Sequence, residues 1–232
     1  MTIHQQFIKD KLPFVIRGGA KKLDAYHKWT DKYLIEAYGN KLLEVESSLD
    51  GNFNPDSPIS DTSKIVDMTI SEFIEKYSTN ENSKIQYYLA APDMPSELNN
   101  DIKRPDLLRL LNSVRRQRKR KPLDTQIFLG AHNNISPMHT DSYHNFYHLL
   151  DGEKEILLVP SKYTKLMRPY ASFNQLKIPD IENIDYDKFP NMKFVPITKV
   201  HLRKGDLLYI PYECWHQMKG GTGRNLAVAL WF

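Results

Sequence analysis

Apolar residues fall into two textures along the chain, mixed before about residue 120 and strand-like after it. Pro13-Phe14-Val15-Ile16 is a short apolar run stopped by Gly18-Gly19, which predicts a strand and a turn. Trp29, Tyr33, Leu34 and Ala37 recur at helical spacing up to Gly39, so residues 29–38 are expected to form a helix. Lys41 to Glu46 reads as a strand and residues 50–63 as a turn-rich loop. Thr69 to Tyr77 reads as a short helix whose Thr69 and Glu72 have capping-box spacing, each side chain satisfying a free amide of the first turn. Ile85 to Ala90 is a predicted strand. Pro105 suits the first turn of a helix through about Val114.

From Thr125 onward short apolar runs alternate with turn signals. Strands are expected at 125–131, 139–150, 154–159, 197–202, 206–210, 216–218 and 225–232, separated by Asp-Gly, Lys-Gly-Asp and Gly-Gly-Thr-Gly. That pattern predicts a mainly β fold with flanking helices, an antiparallel sandwich or barrel. With no repeat and no low-complexity linker, residues 1–232 are expected to form a single domain. Residues 1–120 would be an α/β elaboration on a core over about 125–232.

Composition narrows the class. Of 232 residues, 41% are hydrophobic and 11% aromatic, enough for a sizeable core. No apolar run reaches the roughly 18 residues of a membrane span. The N-terminal residues lack a signal peptide's unbroken apolar stretch. The lone Cys214 has no internal disulfide partner, which agrees with a reducing compartment and an expected cytoplasmic or nuclear location. A net charge of +4 permits an acidic partner without demanding one.

His139-Thr140-Asp141 carries the candidate chemistry. In a strand, residues two apart share a face, so His139 and Asp141 can reach one ion. His216 follows the apolar run Leu207–Ile210 and is the expected third ligand. Two imidazoles and one carboxylate, with coordination positions left open, form the donor set of non-haem iron(II) oxygenases. A strand-edge hydrogen bond would also account for a His-x-Asp pair taken alone. The following Asp151-Gly152 predicts a two-residue hairpin pairing Leu149 with Lys154 and Tyr147 with Ile156. On an unbroken strand from 139, that register puts His139, Asp141, Asn145, Tyr147 and Lys154 on one side. An inward lysine needs an anion, and iron(II), Asp141, a 2-oxoglutarate dianion and Lys154 together are formally neutral. An exposed turn-flanking lysine is the competing reading.

With these residues in view, the chain from about Thr125 onward resembles the JmjC (cupin-like) hydroxylases. The resemblance rests on Ile127–Asp141, on Asn145-Phe146-Tyr147 with Gly152–Pro160, and on Gly205–His216, in that order and spacing. Pro13–Gly18 adds the family's opening strand. It implies a double-stranded β-helix, a jelly-roll or cupin-like core, with His139, Asp141 and His216 as metal ligands and catalytic centre. It implies Lys154 on the distal carboxylate of 2-oxoglutarate, Ser136 and Tyr88 as hydroxyl partners, Asn145 and Tyr147 in the same pocket, and Trp231 on the far wall. It also implies iron(II), 2-oxoglutarate and dioxygen as reactants, with 2-oxoglutarate oxidised to succinate and carbon dioxide while a protein side chain is hydroxylated. Ala229 stands where the asparaginyl hydroxylases place an asparagine near the cosubstrate. Chromatin demethylases of the family usually carry glutamate between the histidines, so Asp141 favours hydroxylation over demethylation.

Two other readings remain open. One is a tRNA nucleoside hydroxylase, served by the run 115–121 with six positive charges in seven residues, for which a solvated helix end is the plainer reading and a nuclear localisation signal or an acidic-protein contact are others. The other is a cupin-fold binding protein without turnover, to which Ala229 lends support. No membrane is expected as a partner, and the end at Phe232 suggests a monomer or weak dimer. His132, His144 and His148 are expected to be packing residues, Cys214 a buried thiol, and Gly220–Gly223 a hairpin turn rather than a phosphate loop.

Overall fold

The computed structural model describes residues 3–53, 63–79, 84–91, 98–103 and 124–232. The N-terminal part contains α1 (Ile3–Lys9), β1 (Phe14–Ile16), α2 (Asp24–Lys28), α3 (Asp31–Tyr38), β2 (Leu42–Ser48), β3 (Ser63–Thr69), α4 (Ile70–Thr79) and β4 (Gln86–Ala91). Then come β5 (Asp124–Gly130), β6 (Ile135–His139), β7 (Asn145–Asp151), β8 (Glu153–Val159) and the short pair β9 (Ala171–Ser172) and β10 (Gln175–Leu176). Four strands close the chain: β11 (Thr198–Arg203), β12 (Leu207–Ile210), β13 (Trp215–Gly220) and β14 (Asn225–Trp231).

Consecutive core strands pass back and forth between two antiparallel sheets. One has the order β1-β12-β7-β14-β5-β4-β2-β3, the other β11-β8-β13-β6-β10-β9. Because β5, β7, β12 and β14 lie in the first sheet while β6, β8, β11 and β13 lie in the second, the core is the expected double-stranded β-helix. Three apolar clusters hold the layers. Leu149, Ile156, Leu158, Leu208 and Met218 fill the space between the sheets. The N-terminal helices cover the outer face of the first sheet through Leu34, Phe73, Phe146 and Tyr209. Met167, Ile178, Met192 and Trp215 bury the outer face of the second under the 160–197 connection. Each such aliphatic side chain contributes about 1.5–3 kcal/mol on leaving water.

Local expectations hold where their chemistry is local. The capping box forms as predicted, Thr69 N donating to Glu72 Oε2 at 2.7 Å and Glu72 N to Thr69 Oγ1 at 3.2 Å. The helix expected over 29–38 begins at Asp31, where Thr30 Oγ1 accepts from Tyr33 N. Strand β3 and helices α1 and α2 have no counterpart in the sequence reading. The predicted strand over 139–150 is two strands in different sheets, broken over 140–144. The expected β7–β8 hairpin does not form. Asp151-Gly152 instead turns the chain from one sheet into the other, with Gly152 at φ 76, where a Cβ would lie 2.2 Å from the Arg224 carbonyl oxygen. Gly221–Arg224 likewise links sheets rather than forming a hairpin. Turn residues mark a reversal, but they do not state which sheet the next strand joins. The helix expected from Pro105 and the basic run 115–121 lie outside the described residues.

Candidate metal centre and cavity

His139 ends β6 and His216 lies near the start of β13, and the two are Cα partners on neighbouring strands. Their ring centroids are 4.2 Å apart. Next to this pair the β6–β13 register shifts, two β6 residues (Pro137 and Met138) lying opposite Gln217. Pro137 has no N–H to give the ladder, which suits it to a bulge. Its carbonyl accepts from His139 Nδ1 at 2.7 Å, and the Cys214 carbonyl accepts from His216 Nδ1 at 3.0 Å. Both Nδ1–H groups are thus engaged, and both Nε2 lone pairs face Asp141, at 3.8 Å from His139 and 3.5 Å from His216. One ligand atom from each of the three residues lies within 4.8 Å of the others.

Asp141 does not share a strand with His139, as the sequence suggested. It sits on the loop after β6, where its carbonyl accepts from Glu213 N at 3.0 Å, while Thr140 N donates to the Asn174 carbonyl at 2.8 Å. Burial and the neighbouring His139 push the His216 imidazole down to about 4, against the pull of Asp141. At neutral pH it is therefore an uncharged ring able to donate a lone pair to a metal.

A cavity of about 350 Å³ opens beside these three residues. Ser136, Asn145, Tyr147, Tyr88 and Trp231 line it. Tyr88 is brought in by β4, opposite Gly130, whose missing side chain leaves room for the ring; a Cβ there would lie 2.7 Å from Tyr88 Cδ2. The Tyr88 and Ser136 hydroxyls both belong to this cavity wall.

Lys154 reaches the same interior by a route other than the predicted hairpin. It begins β8 in the second sheet, paired with Leu202 and Gly220, and its 2%-exposed side chain points between the sheets with Nζ 5.6 Å from the Tyr88 ring centroid. No carboxylate among the described residues pairs with it, and burial alone pushes its ammonium down to about 8. Four buried polar atoms of cavity-lining residues lack partners among the described residues: Glu46 Oε2, Asn145 Oδ1, Tyr147 OH and Trp231 Nε1. Buried polar groups are normally satisfied. Such a concentration fits a polar, anionic ligand seated next to a cation, and the donor set fits a divalent metal.

Residues 1–232 match the family of cupin-like domains. The chain belongs to that family. Among its relatives, JmjC domain-containing protein F of Dictyostelium discoideum is 25% identical over 98% of this chain and 58% of its own length. Lysine-specific demethylase JMJ30 of Arabidopsis thaliana is 28% identical over 95% of the chain and 49% of its own. Lysine-specific demethylase 8 of Danio rerio is 27% identical over 97% and 54%. The chain spans about half the length of the curated relatives it matches.

Within this cupin-like domain, the sequence reading missed Glu46, Phe128, Gln126 and Asn174, which also line the cavity. Glu46 sits on β2 beside Tyr88 and Ile65, and in an alternating strand it looks like a solvent-facing residue. Its pairing with Tyr88 is what turns it inward. Burial raises its carboxyl to about 7. Ala229 is fully buried between Tyr147 and Gln126, so no amide extends from its position. His132, His144 and His148 hold backbone or tyrosine partners, as expected of packing residues, and Cys214 donates to the Val159 carbonyl. No helix among the described residues is long and apolar enough to cross a membrane.

Proposed function

We propose that this cupin-like domain is an iron(II)- and 2-oxoglutarate-dependent dioxygenase that hydroxylates a cationic protein side chain. What carries the reading is the buried Lys154, without a carboxylate partner among the described residues, in the same interior as the His139–Asp141–His216 cluster. When bound, the metal and cosubstrate supply the oxidising chemistry: 2-oxoglutarate and dioxygen give succinate, carbon dioxide and one oxygen atom inserted into a substrate C–H bond.

The chain's own residues bind, orient and exclude water. His139, His216 and Asp141 hold the ion from one side, leaving the cavity side open. Lys154 takes the distal carboxylate, with the Tyr88 and Ser136 hydroxyls completing its hydrogen bonds. Ion, Asp141, cosubstrate and Lys154 then cancel in formal charge, as a water-poor site favours. Asn145 and Tyr147 present their unpartnered polar atoms to the same molecule.

Glu46 is left over from this balance. A carboxylate with one buried, unsatisfied oxygen gains most from a lysine or arginine side chain entering from the mouth. The aromatic walls Phe53, Phe128 and Trp231 suit a methylated ammonium as well. Oxygen insertion at an N-methyl carbon leads to demethylation, so that second reading differs in substrate and not in the chain's chemistry.

The protein incubated with iron(II), 2-oxoglutarate and cell-extract proteins or tRNA tests this. Succinate formation together with a gain of one oxygen on lysine or arginine is the expected result. Loss of methyl groups identifies demethylation, and oxygen on a nucleoside identifies the RNA reading. Metal binding without succinate identifies a binding protein.

A further inference from the structure

Phe173 is the most exposed large apolar side chain among the described residues, at 89%, and its backbone is left-handed at φ 52. A bulky residue seldom occupies that region, because its Cβ crowds the neighbouring carbonyl. Asparagine or glycine would fit the turn with less strain and no apolar surface in water. Phe173 thus carries two costs and returns almost no packing among the described residues.

Its position connects it to the cavity. Phe173 is at the tip between β9 and β10, and the next residue, Asn174, lines the cavity. Gln175 is the Cα partner of His139. Asn174 is fastened twice to Thr140, between the metal-binding residues: its carbonyl accepts from Thr140 N at 2.8 Å, and its Nδ2 donates to the Thr140 carbonyl at 3.2 Å. Arg168 Nη1 donates to the Phe173 carbonyl at 2.6 Å. The turn is held at both ends while its ring stays free. Across the mouth, Tyr143 follows Asp141 on the 140–144 loop, is 44% exposed, and stacks on the cavity residue Trp231 at 6.0 Å between centroids.

We propose that Phe173 is a specificity-determining residue, an apolar anchor for a polypeptide that has a hydrophobic residue flanking the one entering the cavity. The inference rests on the reading of the cavity as a protein side-chain site. An extended peptide gives its reacting residue to the cavity and a neighbouring side chain to the Phe173 ring, which then leaves water. Held backbone with a free aromatic ring is the arrangement that costs least entropy on binding.

The test uses fluorescently labelled peptide pools with central lysine or arginine and one flanking position fixed at a time, bound to the protein loaded with manganese(II) and 2-oxoglutarate. Anisotropy should reveal tighter binding when one particular flanking position is leucine, isoleucine or phenylalanine. F173N should erase that preference, weakening the favoured pool about tenfold. Asparagine accepts the left-handed backbone, so F173N should keep or raise the melting temperature and leave 2-oxoglutarate binding unchanged. A merely structural Phe173 would show the reverse, a lower melting temperature with the flanking preference intact. Pools that bind without any apolar preference, or no pool binding at all, overturn the proposal. Cosubstrate binding and peptide-independent succinate formation, measured on the same samples, report separately whether the oxygenase reading itself has failed.

Discussion

Two buried polar regions of this domain are built on opposite rules. In the N-terminal layer every charged group in the network is answered from within. Arg224 donates to Asp31, Asp151 and the Trp29 carbonyl, and Asp101 accepts from Lys28, Trp29 Nε1 and the Tyr33 hydroxyl. These partners hold the Asp101 carboxyl below its ordinary value despite burial. Between the sheets, among the described residues, Lys154 has no anion, Glu46 Oε2 and Tyr147 OH have no partner, and burial goes unopposed at both Lys154 and Glu46. A network that fastens helices to a sheet must be complete when folding is complete. A network that receives a ligand stays incomplete until the ligand arrives, and the fold carries the penalty meanwhile.

Substitutions that exchange these rules should separate the two regions. The largest effect is expected for Asp141→Ala, which removes the one carboxylate of the proposed metal-binding set. Iron-dependent succinate formation should fall about a thousandfold or more, since one transition-state group commonly carries several kcal/mol. Retained turnover would move the metal elsewhere.

Arg224→Met takes the cation from Asp31, which keeps only the Tyr77 hydroxyl, and leaves Asp151 with Lys204 alone. It should cost about 2–3 kcal/mol in urea unfolding, less than a fully buried pair because its partners are partly exposed. Cosubstrate binding should be unchanged. A loss of binding equal to the loss of stability would erase the distinction between the two regions.

Lys154→Met should act in the opposite sense on the ligand-free protein. The folded ammonium titrates near 8 and the unfolded one near 10.5, so the unfolded chain holds the extra proton between those values. Stability therefore rises with pH across that window, and the folded state is penalised below it. Methionine should raise the melting temperature at pH 7 by a few degrees and flatten the rise at alkaline pH. A lower melting temperature at pH 7 would mean that Lys154 is a structural group after all.

The smallest effect belongs to Glu46→Gln. With the folded carboxyl near 7 and the unfolded one near 4.5, the native state retains a proton the unfolded chain has lost, so stability falls as pH climbs through that window. Glutamine should remove about 1 kcal/mol of that fall, the side chain being only partly shielded. Thermal melts at pH 5 and pH 8 give the comparison, and an unchanged slope would place Glu46 in water.

Much of the site was legible because its chemistry is written in residue type. His139, Asp141 and His216 stood out as a donor set, and Lys154 as a cation near it. The premises about geometry fared worse than the conclusion. Asp141 is not on the strand of His139, and Lys154 points inward to the ring of the cavity residue Tyr88 because β7 and β8 lie in opposite sheets whose inner faces meet, not because the two strands pair. An Asp-Gly corner and an Asp-Gly hairpin look alike in sequence, since both place the glycine at positive φ. The capping box of α4 could be read because all its partners lie within four residues. Glu46 could not, because its orientation depends on the pairing of β2 with β4, about forty residues apart. Strand β3 also escaped. Its pattern of one buried residue, four exposed and another buried carries no alternation to read.

Titration calorimetry of 2-oxoglutarate into three samples bears most directly on the pairing of a metal cluster with a lone buried lysine: manganese-loaded protein, metal-free protein, and manganese-loaded Lys154→Met. We expect tight binding only in the first, a large loss without metal, and about a hundredfold weaker binding in the variant. Equal affinity with and without manganese, or in the variant and the unsubstituted protein, would contradict the account.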